Sequence, residues 1–274
     1  MEKIELSDQL SLFCEYRDNK KKKCLIVTHG IGEHLGRHQY LNEVVGDQYN
    51  IFFYDLRGHG KSQGKSAWID KFDQFYDDLF EVYQHVKEKH SDQQISLFGH
   101  SMGGLITAGF LQKYAEKVEL EKVFLNAPPA GIPGGLGKVV DLITPSATNW
   151  LSSLDGGFYV GGMVNKKGLS HDMAVGEDYV SDSLNKMKLH SKLLLGLIDA
   201  SKKVFSSSIP DQFTVFCSVG SKDPIVSVPA LRNYFGTVEK KVELHEIDGA
   251  FHEIHNEVEV YRSKYFDYIK ASLA

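Results

Sequence analysis

The chain comprises 274 residues, 42% of them hydrophobic and 24% charged, with a net charge of −5. A chain of this length buries a sizeable core and suits one or two domains, and its balance of apolar and charged residues excludes intrinsic disorder. The mild negative charge excludes a nucleic-acid partner, which needs clustered Lys and Arg; the one dense basic run, Lys20 to Lys23, sits between strand-like segments and reads as a solvated turn.

Taken in chain order, the N-terminal residues include Glu2 and Glu5 and no apolar run of the secretory kind. No later stretch is apolar for long enough to cross a bilayer. The segments KIELSD and LSLFCEY are joined too tightly for a crossover helix and predict an antiparallel hairpin at one edge of a sheet. Short runs rich in Val, Ile and Phe follow: KCLIVTHG, YNIFFYDLRG, QISLFGHS, KVFLNAP, FTVFCSVGSKD and KVELHEIDG. Most end in Gly, Asp or Pro, as strands do when they stop at a functional edge. Between them, FDQFYDDLFEVYQHVKEKH sets Phe72, Phe75, Tyr76, Leu79, Val82, Tyr83 and Val86 on one helical face. Strand and helix alternate, which predicts an α/β fold with a mostly parallel central sheet flanked by helices.

From about Pro129 to Pro210 the strand signals vanish. There GLGKVVDLITPSATNWLSSL places Leu136, Val139, Val140 and Ile143 at helical spacing, followed by Trp150 and Leu151. The expected organisation is a core of residues 1–128 and 211–274 with a helical cap insertion, 129–210, above the sheet. Two accounts of this insertion stand side by side: plain packing on the sheet, or a lid whose apolar residues line a pocket or touch lipid. Cys14, Cys24 and Cys217 are too few, and odd in number, for a disulfide framework; Cys24 and Cys217 lie in strand-like runs and read as buried free thiols. A soluble, cytoplasmic protein is expected.

The run LFGHSMGGLITAGFL, Leu97 to Leu111, crowds Gly99, Gly103 and Gly104 around Ser101. Glycine weakens regular elements and is kept where backbones approach closely or dihedrals are unusual. Gly99-His100-Ser101-Met102-Gly103 fits G-x-S-x-G between a strand and a helix, the setting in which a sharp turn exposes a serine hydroxyl and the new helix aims free amides at it. Such a serine needs a base, and the base an orienting acid. In this motif's chain order the acid comes first: Asp223, at a strand end, although an Asp before Pro224 also suits a plain turn. Of the downstream histidines, His245 lies inside a strand pattern and His255 at the start of the closing helix. His252 lies in the loop DGAFHEI just past a strand end and is the candidate base; Asp248 is the rival acid but crowds the same loop. The oxyanion donors expected are the N–H groups of Met102 and of Ile31, the latter left bare between Gly30 and Gly32.

In this order HGIGEHLGRH, YDLRGHGKSQG, GHSMGG, SKDPIV and DGAFHE resemble the α/β-hydrolase family, and within it the monoacylglycerol lipase and lysophospholipase branch, from about Cys24 to the C-terminal helix. GLSHDMAVGEDYVSDSL resembles that branch's cap segment. The resemblance implies the α/β-hydrolase fold, a serine ester hydrolase with Ser101, Asp223 and His252 as triad and Ile31 and Met102 as oxyanion donors, and a mobile cap over an acyl tunnel. It also implies that Arg37, His100 and Tyr179 lie near the alcohol leaving group. Position 38, where relatives often carry an aromatic residue, is His38.

Other motifs fail on inspection. RGHGKS ends like a phosphate-binding loop, but the leading glycine would fall on Asp55, so Gly58 and Gly60 are expected to shape a tight loop beneath the site. HEIHNE misses the zinc motif H-E-x-x-H because the second ligand position is Asn256, and His29, His34 and His38 have no matching acidic or cysteine ligands. No metal and no cofactor is expected. Three functions follow: a carboxylic ester hydrolase on monoacylglycerol or a related single-chain lipid, touching membranes peripherally through its cap; a hydrolase of lysophospholipids, small soluble esters or amides; or a binding protein that keeps the fold without turnover.

Overall fold

The computed structural model describes residues 2–131, 157–162 and 165–274; the expected helical stretch with Leu136, Val139, Val140, Ile143, Trp150 and Leu151 lies outside the described residues. The apolar runs form strands β1 (Glu2–Glu5), β2 (Ser11–Arg17), β3 (Lys23–Thr28), β4 (Asn50–Tyr54), β5 (Gln94–His100) and β6 (Val123–Asn126). After β7 (Tyr159–Gly161) and β8 (Lys188–His190) come β9 (Val215–Gly220) and β10 (Leu244–Ile247). Eight of them make one sheet in the order β1-β2-β4-β3-β5-β6-β9-β10. β1 and β2 form the expected antiparallel edge hairpin, β2 runs antiparallel to β4, and every later pairing in the sheet is parallel.

Successive residues of a strand face opposite ways, so the two faces bury different sets. Cys24 and Ile26 of β3, with Phe52, Tyr54, Leu97 and Leu125, pack under α2 (Gln74–Lys89) and α3 (Met102–Tyr114). Leu25 and Val27, with Ile51, Phe53, Phe98 and Phe124, pack under α1 (Tyr40–Val45) and α7 (Glu259–Leu273). Each such side chain contributes about 1.5–3 kcal/mol of burial. Both faces are covered, which is why the central strands read as unbroken apolar runs. In α2 the expected apolar face is buried, and Asp78 joins it, compensated by the Arg57 guanidinium. The three cysteines are free and buried, Cys14 included, and burial pushes the Cys24 thiol up to about 12.

Between β6 and β9 the structure departs from the sequence reading. Alongside α4 (Met173–Ser181) and α5 (Ser191–Val204), β7 and β8 pair antiparallel as a separate ribbon where no strand was expected. Each strand has three residues, too few for alternation to register along the chain. A short helix α6 (Val228–Asn233) follows β9.

Candidate active site

Parallel strands end their C-terminal tips at one edge, and three loops there meet. The β5–α3 turn holds Ser101 at φ 53°, ψ −121°, a conformation that costs an L-residue energy and is kept where the surroundings enforce it. Those surroundings require the flanking glycines: a Cβ at Gly99 would lie 2.5 Å from the Gly103 carbonyl, and one at Gly103 would lie 2.2 Å from the Thr28 carbonyl. Helix α3 therefore sits directly against β3.

Asp223 follows β9 and divides its two oxygens. Oδ1 accepts from the Ile225 and Val226 N–H groups at 2.7 and 3.0 Å, closing the turn, while Oδ2 lies 2.7 Å from His252 Nδ1. One carboxylate thus closes the turn and meets the imidazole. His252 Nε2 lies 3.0 Å from Ser101 Oγ, which completes the chain from acid to imidazole to hydroxyl. All three side chains are buried. Asp248, the rival acid, instead accepts from Ser221 Oγ at 3.0 Å at the surface, and His245 stacks on Tyr268. His255 lies in a 3₁₀ turn ahead of α7, not within it.

Burial alone would lower the His252 pKa; the charge and hydrogen bond of Asp223, with Glu253 and Glu33 behind, outweigh it and raise the group above its ordinary value. Neighbouring His100 and His255 go the other way. Burial drives both well below the usual imidazole range, so they stay neutral.

Among the described residues, neither the Ile31 nor the Met102 N–H has a protein acceptor. Met102 opens α3, where unpaired amides favour negative charge. The Ile31 amide is set by its neighbours. His29 Nε2 accepts from the Leu56 N–H at 2.9 Å, so Nδ1 carries the proton and donates to the Gly30 carbonyl at 2.8 Å. A trans peptide holds its N–H opposite its carbonyl, so fixing the Gly30 carbonyl fixes the Ile31 N–H. Glu33 Oε1 accepts from the Gly30 N–H and also lies 2.9 Å from His38 Nε2. A side chain at Gly30 would meet Glu33 Oε1 at 2.8 Å and Ser101 Cβ at 3.1 Å.

The three residues expected beside the leaving group gather here too. Arg37 pairs with Glu253 Oε2, lies 3.4 Å from Glu33 Oε2, and rests 4.7 Å over the Tyr179 ring. Tyr179 Oη lies 3.5 Å from the Ile31 carbonyl. His100 Nδ1 is 2.8 Å from Asn126 Nδ2, and its ring stands 5.0 Å from that of His252. His29, His34 and His38 are buried and hydrogen-bonded, with His34 Nε2 2.8 Å from Asp182 Oδ2. Gly58 and Gly60 take positive φ and form the expected tight loop, in which Asp55 accepts from the Leu35 and Lys61 N–H groups at 2.8 and 2.7 Å.

Sequence reading missed Glu33, which meets Gly30, Arg37 and His38 within five positions but leaves no periodic mark, and it missed Asn126 and Glu253, whose partners are remote: His100 and Asn126 are 26 positions apart, and Arg37 and Glu253 are 216. No spacing rule spans such a gap. A groove of about 450 Å³ lined by Phe80, Tyr83, Lys87 and Lys117 lies where the chain enters β5 and β6, at the opposite sheet edge from Ser101.

Residues 19–259 match the family described as Serine aminopeptidase, S33. Over 104 residues, 37% of this chain, the sequence is 35% identical to the monoglyceride lipase of Mus musculus, and that stretch spans only 34% of the relative's length. Over 249 residues, 88% of this chain and 85% of the relative, it is 25% identical to the monoacylglycerol lipase of Mycolicibacterium smegmatis. The solved structure of a soluble variant of monoglyceride lipase from Saccharomyces cerevisiae, in complex with a substrate analog, superposes with a TM-score of 0.82 at 18% identity, covering 99% of this chain and 92% of that one. With a match that extends over residues 19–259 and a sheet in the same arrangement, the chain belongs to the serine aminopeptidase S33 family of α/β-hydrolases.

Proposed function

We propose that the protein is a serine hydrolase that cleaves monoacylglycerol-type single-chain lipid esters through an acyl-enzyme on Ser101. The observation that carries this reading is the continuous chain from Asp223 Oδ2 to His252 Nδ1 at 2.7 Å and from His252 Nε2 to Ser101 Oγ at 3.0 Å. His252 takes the hydroxyl proton as Ser101 Oγ attacks the ester carbonyl, and Asp223 stabilises the imidazolium. The carbonyl oxygen, now negative, receives the Ile31 and Met102 N–H groups, and such donors are worth on the order of 10²–10³ in rate each. The imidazolium returns the proton to the leaving alcohol. Water then repeats the sequence on the acyl-enzyme and releases the fatty acid.

The lipid part of the reading is supported by the names of the relatives and by the apolar side chains that residues 129–210 expose: Phe158, Tyr159, Met173 and Val180. We read that segment as a cap on a core of 1–128 and 211–274, touching the lipid surface peripherally, and three buried free thiols suit a reducing, cytoplasmic setting. The family description raises peptide hydrolysis as the other reading. An aminopeptidase needs a carboxylate to receive the substrate ammonium, and two carboxylates whose charges act on His252 beside that of Asp223 are already committed, Glu253 to Arg37 and Glu33 to His38 and Arg37.

The test is hydrolysis of an acyl-length series of monoacylglycerols and p-nitrophenyl esters beside lysophospholipids and aminoacyl anilides. Turnover of long-chain monoacylglycerols supports the proposal; reaction confined to short esters, to lysophospholipids or to anilides replaces it with the corresponding hydrolase, and no turnover at all leaves the binding protein. A second expectation concerns pH. Because His252 must be neutral to accept the proton and Asp223 raises its pKa above the ordinary 6.5, kcat/KM should fall to half its plateau above pH 6.5 as the solution is acidified. A kcat/KM profile with its midpoint at or below 6.5 would contradict that placement of the base.

A further inference from the structure

The loop that carries His252 is closed by a carboxylate. Glu257 is 1% exposed, and both its oxygens are filled by donors. Oε1 accepts from the Phe251 N–H at 2.8 Å and lies 2.8 Å from His171 Nδ1; Oε2 accepts from the Val258 N–H and the His171 N–H, each at 3.1 Å, and lies 3.3 Å from the Ser170 hydroxyl, which donates to the Asn256 carbonyl at 2.9 Å. Phe251 directly precedes His252 and Val258 directly precedes α7, so one side chain ties these two points of the loop together. Ser170 and His171 belong to the segment ahead of α4, so the same side chain docks that segment onto the loop.

The docked segment reaches the base itself. The Gly168 carbonyl accepts from the His252 N–H at 3.4 Å and the Leu169 carbonyl from the Glu253 N–H at 2.8 Å, while the His171 ring stacks on Phe251 with centroids 3.8 Å apart. The main chain at His252 is therefore held from outside by residues 168–171, and those residues are held by Glu257. Burial works against the charge of Glu257; the donors of Phe251, His171 and Val258 outweigh it and keep the carboxyl below its ordinary range. Every hydrogen bond at Glu257 is one it accepts, so glutamine, of nearly the same shape, sets an NH₂ against a donor on one side.

We propose that Glu257 is a positioning residue for His252: by closing the loop and docking residues 168–171 on it, the carboxylate holds the imidazole in line between Asp223 and Ser101 and so governs the rate of acyl transfer, not the binding of substrate. This role rests on the reading of Ser101 and His252 as nucleophile and base.

The experiment compares Ser101→Ala, Glu257→Gln, His171→Leu and a surface control, Glu259→Gln, by thermal melting, steady-state kinetics on one soluble ester and the rate of labelling by a fluorophosphonate probe. For Glu257→Gln, kcat and the labelling rate fall about 10–100-fold while KM stays within about twofold, since small misplacements of a reacting group cost rates of this order. The acid limb of its kcat/KM profile moves to lower pH, because an imidazole loosened from Asp223 loses the charge that raises it. A purely structural loss of folded protein would not shift that limb. His171→Leu, whose side chain is partly exposed, moves both readouts in the same direction by less, and Glu259→Gln moves neither. A folded Glu257→Gln with wild-type kcat and acid limb, or with a raised KM at unchanged kcat, overturns the proposal; if that variant does not fold, His171→Leu decides by the same criteria. Wild-type activity in Ser101→Ala overturns the underlying reading instead, whereas an inactive Ser101→Ala beside an unaffected Glu257→Gln overturns the positioning role alone.

Discussion

Ser101→Ala is expected to lower kcat/KM for ester hydrolysis by a factor on the order of 10⁴ or more, since a triad without its nucleophile keeps only what the oxyanion donors and substrate binding supply. The loss should fall on kcat and leave the fold intact. Ser101 N–H donates to the Asn126 carbonyl at 2.8 Å, a bond alanine keeps, and among the described residues the hydroxyl meets only His252 Nε2. The strained backbone at φ 53°, ψ −121° supplies a second readout. Glycine is at ease in that region, so Ser101→Gly should be as inactive as Ser101→Ala but more stable than it, by about 1–3 kcal/mol. Turnover assays with denaturant unfolding of the three proteins check both points. An alanine variant that retains a tenth of wild-type activity would remove Ser101 from the chemistry, and equal stabilities would mean that the turn is not strained.

Gly103→Ala is expected to cost about 3 kcal/mol or more and to take activity with it. The added carbon would lie 2.2 Å from the Thr28 carbonyl and 2.6 Å from the His29 carbonyl, both backbone atoms of the strand end that leads into Gly30 and Ile31. Relief requires α3 to move off β3. That movement separates the Met102 amide from the Ile31 amide, so the oxyanion donors are lost with the packing. Two glycines calibrate the effect. At Gly104 the nearest atoms are the Pro128 Cβ at 3.1 Å and the Gly99 carbonyl at 3.2 Å, and alanine should cost less; at Gly236 nothing lies within 4 Å, and alanine should be neutral or stabilising. Urea midpoints for the three variants would order them 103, 104, 236 from least to most stable. A Gly103→Ala protein as stable as wild type would show that the helix and strand can separate without penalty.

The legible part of this protein was whatever repeats at short range or sits inside one turn. Short apolar runs marked the strands of the main sheet and period-3.6 patterning the buried face of α2, because burial on both faces of a strand or on one face of a helix imposes those patterns on neighbouring residues. The edge hairpin followed from the brevity of its connection, and the glycines around Ser101 announced a close approach before any contact was known. Asp223 and His252 could be chosen because a parallel sheet carries its strand ends to one edge, so a strand-terminal acid and a strand-terminal histidine share a neighbourhood even 29 positions apart.

Tertiary structure alone decided what surrounds these groups. Asp78 is buried on the apolar face of α2 because Arg57, 21 positions away, meets it, and the ribbon of β7 and β8 exists only because two segments too short to signal themselves lie side by side. Arg37 could not be joined to Glu253, nor His171 to Glu257, by any local rule: an ion pair or a buried carboxylate with several donors imposes no period on the chain and is satisfied by whichever residues the fold delivers. The sequence by itself determined the sheet and singled out Ser101, Asp223 and His252, through short-range patterns that burial and turn geometry force on neighbouring residues. The raised pKa of His252, the orientation of the Ile31 amide and the clamp on the base's loop depend on distances between remote segments, and those come into being only when the chain is packed.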